Sequence, residues 1–200
     1  MSTHEPNATY FINVLNAAKE NKVNRVVYAS SSSVYGDDKS LPKVEENVGN
    51  PMSPYAVSKK SNELYAKVFY QLYGLEIIGL RYFNIFGPRQ TPDGPYAAAI
   101  PIFITHALEG KSPFINGDGS NSRDFTYIEN AVQANIKALF CENKDALGEV
   151  FNIAVGERTT VLELYNTITE ILNSEVKPTH REDIVGDIPN RIDDIYKTKK

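Results

Sequence analysis

The sequence predicts an α/β protein built on a parallel sheet. Two short runs rich in apolar and β-branched residues, 25–30 (RVVYAS) and 76–83 (EIIGLRYF), read as strands buried on both faces. Each follows a segment of helical spacing, and the order helix, strand, helix, strand implies parallel strands joined by right-handed crossovers. A chain of 200 residues with 42% hydrophobic and 23% charged residues has the ordinary make-up of one globular domain, or of one domain with a small lobe.

The elements follow in order. In residues 7–20, Phe11, Val14, Leu15 and Ala18 recur at helical spacing. The strand at 25–30 comes next, then a polar stretch with Gly36, Pro42, Gly49 and Pro51 that reads as loop. Ser53-Pro54 opens a second helix: the serine caps free N–H groups, and proline's preset φ suits the first turn. Leu64, Val68 and Leu72 continue it, and Gly74 stops it before the strand at 76–83. Beyond Gly87-Pro88 the rhythm loosens. Helices fit 97–109, 129–141 and 161–173, with short strands near 114–115 and 150–153, so a small mixed lobe follows the parallel half. The charged stretch 181–200 is weakly periodic.

Composition removes several classes of function. A net charge of −4 gives no pull toward nucleic acid or an anionic membrane. The lone Cys141 can form no internal disulfide, and with His4, His106 and His180 far apart no short metal motif exists. No apolar run is long enough to span a bilayer and no signal-peptide pattern follows Met1, so a cytoplasmic enzyme is expected.

In open parallel sheets ligands bind beyond the carboxyl ends of the strands. Ser31, Ser32 and Ser33 stand at one such end and Asn84 at another; the helix beginning at Ser53 lies between them and carries Tyr55 and Lys59 on one face. A tyrosine pKa of about 10 is too high for a base at neutral pH, and a nearby ammonium favours the phenolate. A serine hydroxyl can hydrogen-bond a substrate oxygen. The spacing Tyr-x-x-x-Lys alone carries little, because it occurs three times, at Tyr35/Lys39, Tyr55/Lys59 and Tyr196/Lys200. Only Tyr55/Lys59 opens a capped helix beside two strand ends.

The segments Ala29-Ser30-Ser31-Ser32-Ser33-Val34-Tyr35-Gly36-Asp37, Ser53-Pro54-Tyr55-Ala56-Val57-Ser58-Lys59 and Leu80-Arg81-Tyr82-Phe83-Asn84 resemble the extended short-chain dehydrogenase/reductases, in the NAD-dependent epimerase/dehydratase group. The likeness is nearest to UDP-N-acetylglucosamine-type 4-epimerases, and it continues through Gly87-Pro88-Arg89-Gln90 and residues 116–125. It implies the C-terminal part of a Rossmann-like parallel sheet plus a small mixed substrate-binding lobe. Residues 1–84 would form a partial NAD-binding domain without its first βαβ units; residues 85–200 would be mainly substrate-binding, with part of 124–153 returning to the sheet.

By position, the resemblance implies that Tyr55 transfers the proton, Lys59 activates it and holds the cofactor ribose, and Ser31 bonds the sugar hydroxyl. Ser32 and Ser33 would line the cavity, and Asn7 and Phe83 would lie near NAD. Asn84 and Gln90 would meet the sugar nucleotide. Ala99, Ile100, Pro101 and Ile102 with Phe114, Ile115 and Asn116 would flank uridine, and Arg123 would pair with the diphosphate. Related 4,6-dehydratases carry Asp-Glu where this chain has Ser32-Ser33, which favours epimerisation.

The chain also departs from the pattern. It has no glycine-rich dinucleotide turn, Tyr10 replaces a frequent glycine, and Ile184, Pro189 and Arg191 stand at expected substrate positions. The expected function is therefore NAD-dependent 4-epimerisation of a UDP-sugar by an N-terminally truncated chain. The alternatives are a non-catalytic fragment or subunit that binds a nucleotide sugar, or another reaction of the group. By analogy a homodimer would form through helices 7–20 and 54–73.

Overall fold

The computed structural model describes residues 5–93, 98–182 and 195–199. Gly186-Asp187 and the substitutions Ile184, Pro189 and Arg191 lie outside the described residues, as do His4 and Lys200.

The sheet has three parallel strands in the order β1-β2-β7: β1 (Arg25–Ser31), β2 (Glu76–Tyr82) and β7 (Val150–Ile153). β1 and β2 pair from Arg25 against Glu76 to Ser31 against Tyr82, and β2 pairs on its other side from Gly79 against Val150 to Tyr82 against Ile153. The strand ends therefore finish on one rim. β2 is central and buried from Ile77 to Arg81, as its apolar run predicts. β1 is only part-buried, with Ala29 exposed; it is an edge strand among the described residues, and its run does not report burial on both faces.

Alternate side chains face opposite layers. On one face Tyr28 and Ile77 meet α1 (Tyr10–Glu20) and α2 (Pro54–Tyr73) through Leu15, Ala18, Ala66 and Phe69. On the other, Ile78 and Leu80 meet Ala131 and Ala138 of α4 (Ile128–Leu139). Gly79 is required by the first face: a Cβ there would lie 2.6 Å from the Tyr28 phenol.

The remaining elements form smaller assemblies. β3 (Ile85–Phe86) pairs in parallel with β6 (Thr126–Tyr127), β4 (Phe114–Asn116) with β9 (Thr179–Arg181), and β5 (Ser122–Arg123) antiparallel with β8 (Thr159–Thr160). α3 (Ala99–Glu109) and α5 (Val161–Leu172) enclose a core of Phe103, Ala107, Ile115, Tyr165 and Ile168. Thr160 and Glu163 form a reciprocal capping box that fixes the start of α5. Among the described residues no helix is long and apolar enough to cross a membrane.

Candidate active site

α2 begins as its sequence dictates. Ser53 Oγ accepts the Ala56 N–H at 3.1 Å, Pro54 occupies the first turn, and Gly74 ends the helix with φ +66°. This start places Tyr55 and Lys59 beside the end of β1. Lys59 Nζ lies 5.7 Å from the centre of the Tyr55 ring and donates to Ala29 O at 2.9 Å. Tyr55 remains 39% exposed. Burial pushes the Lys59 ammonium below its ordinary pKa of 10.5.

The serines form the adjoining turn. Ser31 closes β1, and its Oγ accepts the Ser33 N–H at 3.2 Å, capping a 3₁₀ turn over Ser32–Tyr35. Ser32 and the hydroxyl of Ser33 are buried there. Ser31 stands against Tyr82 in the sheet register, so Asn84 emerges two residues past that level on the same rim. Asn84 adopts φ +36°, and its amide donates to Asp124 O at 2.8 Å.

Asp124 in turn is fully buried, and its carboxylate accepts the N–H groups of Val155, Gly156 and Glu157 at 3.0, 2.7 and 3.2 Å. Burial raises its pKa, and these three bonds oppose the rise. This residue ties the end of β2 to the loop after β7.

A cleft of about 330 Å³ opens next to Asn84. Of the residues expected at a ligand site, Asn84, Ala99, Ile100, Ile102, Phe114, Ile115, Asn116 and Arg123 line it together. Arg123 Nη1 donates to Ser122 O at 2.9 Å. The sequence reading missed Phe86, Phe103, Asn121, Phe125 and Val161 on the same walls. Asn121 and Phe125 flank Arg123 closely enough in sequence to have been included.

Other expected residues lie elsewhere. Gln90 and the buried Pro101 line a neighbouring hollow of about 380 Å³, and Gln90 Nε2 donates to Ile85 O at 3.2 Å. Phe83 is 0% exposed, in a core with Val34 and Tyr35. Asn7 is half-buried within a π-helical turn, Glu5–Thr9, that leads into α1 and packs against α2. Tyr55, Lys59 and the serines sit at the rim and not on the cleft walls.

A buried polar cluster beneath the rim also escaped the sequence reading. Arg81 grips the Glu63 carboxylate with Nε at 2.8 Å and Nη2 at 3.0 Å, and its Nη1 reaches the Tyr35 hydroxyl at 3.0 Å. Ser30 Oγ donates to Glu63 at 2.6 Å, and Tyr35 donates to Asn152 Oδ1 at 2.7 Å. The available signal was a charged residue inside the apolar run of β2.

Fold and rim together define an α/β protein with a Rossmann-like parallel sheet that presents its polar side chains at the strand ends. The model of the NAD dependent epimerase/dehydratase family matches residues 2–154, and the chain belongs to that family. It is similar to the UDP-N-acetylglucosamine 4-epimerase of Methanobrevibacter ruminantium M1 in complex with UDP-N-acetylmuramic acid: 39% identity, a TM-score of 0.94, and coverage of 98% of this chain and 62% of that one. The UDP-glucose 4-epimerase of Thermotoga maritima with UDP-glucose matches at 34% identity and a TM-score of 0.92, over 98% and 62% of the two chains. The UDP-glucuronic acid 4-epimerase of Bacillus cereus, in complex with UDP-glucuronic acid and NAD, matches at 33% identity and 0.87, over 96% and 60%. The chain thus spans about 60% of the length of these relatives.

Proposed function

We propose that this chain carries the proton-transfer and sugar-nucleotide machinery of a UDP-sugar 4-epimerase of the UDP-N-acetylglucosamine/UDP-N-acetylgalactosamine type. The carrying observation is the start of α2, where Lys59 is fastened to Ala29 O beside the Tyr55 phenol at the end of β1. Tyr55 takes the proton from the sugar C4 hydroxyl and returns it, with the Lys59 ammonium 5.7 Å from the centre of its ring. Ser31 bonds the same hydroxyl. The cleft receives the nucleotide: Phe114, Ile115 and Asn116 supply walls for uridine, and Arg123 a planar cation for the diphosphate.

The residues present suit one end of NAD. The Lys59 ammonium and Tyr55 hydroxyl have the donor chemistry to hold the nicotinamide ribose. Among the described residues no helix begins at a glycine-rich turn, the feature that cradles a pyrophosphate. NAD, when bound, supplies transient oxidation at sugar C4 and is regenerated within the cycle.

Tyr55, Lys59 and the serines lie off the cleft walls, which favours a second reading: a nucleotide-sugar-binding chain that does not turn over. One experiment separates the two. UDP-N-acetylglucosamine and NAD are added to the chain and the C4 epimer is followed by NMR. Conversion that falls by about 100-fold or more in Tyr55→Phe supports the enzyme. Binding without conversion supports the second reading, and conversion undiminished in Tyr55→Phe removes Tyr55 from the mechanism.

The outward faces of α1 and α2 support a homodimer. Tyr10 and Val14 of α1 and Leu64, Val68 and Leu72 of α2 are exposed, and a two-fold axis would bring four helices together. A cytoplasmic setting is consistent with the single cysteine.

A further inference from the structure

We infer that the buried Glu63–Arg81 pair is a positioning device, setting the serine turn against the Tyr55 phenol; the inference rests on the functional reading above. Its geometry is specific. Glu63 lies on α2, four residues after Lys59 and eight after Tyr55, so it shares their helix and one face with Lys59. Its carboxylate holds Ser30, the neighbour of Ser31, at 2.6 Å, and takes both forks of Arg81 from β2. The third donor of Arg81 holds the hydroxyl of Tyr35, which closes the serine turn, and Asn152 of β7 secures the same hydroxyl at 2.7 Å. Both ends of the segment Ser30–Tyr35 are thus fastened to one ion pair, and that pair is anchored on the helix that carries Tyr55 and Lys59.

Burial argues for geometry over stability. Arg81 is 3% exposed, and a buried ion pair gains little net stability over well-packed apolar side chains. A bidentate guanidinium–carboxylate pair instead holds its partners at fixed distance and angle. Ser30, Glu63, Arg81 and Tyr35 come from three elements and the turn after β1, and their hydrogen bonds leave Ser31, Ser32, Ser33 and the buried Val34 between the two anchors.

The test compares two affinities. The chain is titrated with UDP and with UDP-N-acetylglucosamine, and the ratio isolates what the sugar adds. The variants are Glu63→Gln and the milder Ser30→Ala, which removes one hydroxyl and leaves the ion pair in place. A positioning role predicts UDP affinity within about twofold of the native chain, because the uridine walls belong to α3 and β4, with the sugar's increment reduced at least about fivefold, a change of about 1 kcal/mol. Thermal melts identify any variant that has lost its fold, and Ser30→Ala then decides. An unchanged sugar increment in folded Ser30→Ala overturns the positioning role alone. A native chain with no preference for the sugar nucleotide over UDP overturns the functional reading and this inference with it.

Discussion

At the scale of single residues, the site divides into what charge and spacing announce and what only burial reveals. The common face of Tyr55 and Lys59 was readable because a capped helix start fixes it. Glu63 was not, since a carboxylate one turn further along the same helix reads as a solvated surface charge. In the fold it is enclosed. Burial pushes its carboxyl up, but the hydrogen bonds and charge of Arg81, with the Ser30 hydroxyl and Lys60, outweigh this and hold it below its ordinary value of 4.5. A lowered carboxyl pKa contributes stability that is present above the unfolded-state pKa and is lost as pH falls through the folded-state value. Native stability should therefore drop on acidification below about pH 4.5, and Glu63→Gln should flatten that drop; Glu45 and Asp124, pushed up by burial, act in the opposite sense. Urea unfolding at steps from about pH 6 to about pH 3 measures the slope. An identical slope in the variant would remove Glu63 as its source.

Whole elements were readable where the pattern was long and its ends were marked. α2 was legible from Ser53-Pro54 to Gly74 because cap, first-turn proline and left-handed stop each have a local cause. The two-residue strands β3, β5, β6 and β8 carry no period of their own; long-range pairing alone creates them. The π-helical turn before α1 and the 3₁₀ turn over the serines were hidden because four or five residues are too few to show a period. Capping at α2 has a measurable consequence. Ser53→Ala leaves the Ala56 N–H without its acceptor and should cost about 1 kcal/mol in urea unfolding. It should also fray the first turn, which carries Tyr55, so amide exchange should rise at residues 55–57 and stay unchanged at the C-terminal end of the helix. Equal protection in the variant would mean that the sheet, and not the cap, holds the helix start.

At the scale of the molecule, three layers bury β2 from Ile77 to Arg81 yet leave large apolar side chains outside. One set lies on α1 and α2. Another lies on α4 and its C-cap, where Val132, Ile136, Leu139 and Phe140 are exposed. The sequence showed the helices but not which apolar residues would stay uncovered, because helical period gives a face and not its partner. For α1 and α2, Leu64 and Leu72 decide the matter: they are 59% and 69% exposed, two helical turns apart on one stripe. A patch of this kind on an isolated chain favours self-association. Placing a charge there costs the monomer little, since neither side chain contributes to its core, but two-fold symmetry repeats each substitution in both copies, so four carboxylates would enter the seam. Light scattering coupled to size exclusion should therefore show the native chain as the proposed dimer and Leu64→Glu/Leu72→Glu as a monomer, while the melting temperature at low protein concentration stays near that of the native chain; a monomeric native chain would remove the proposed homodimer. A double variant that remains dimeric would move the interface away from these helices, to the apolar stripe of α4.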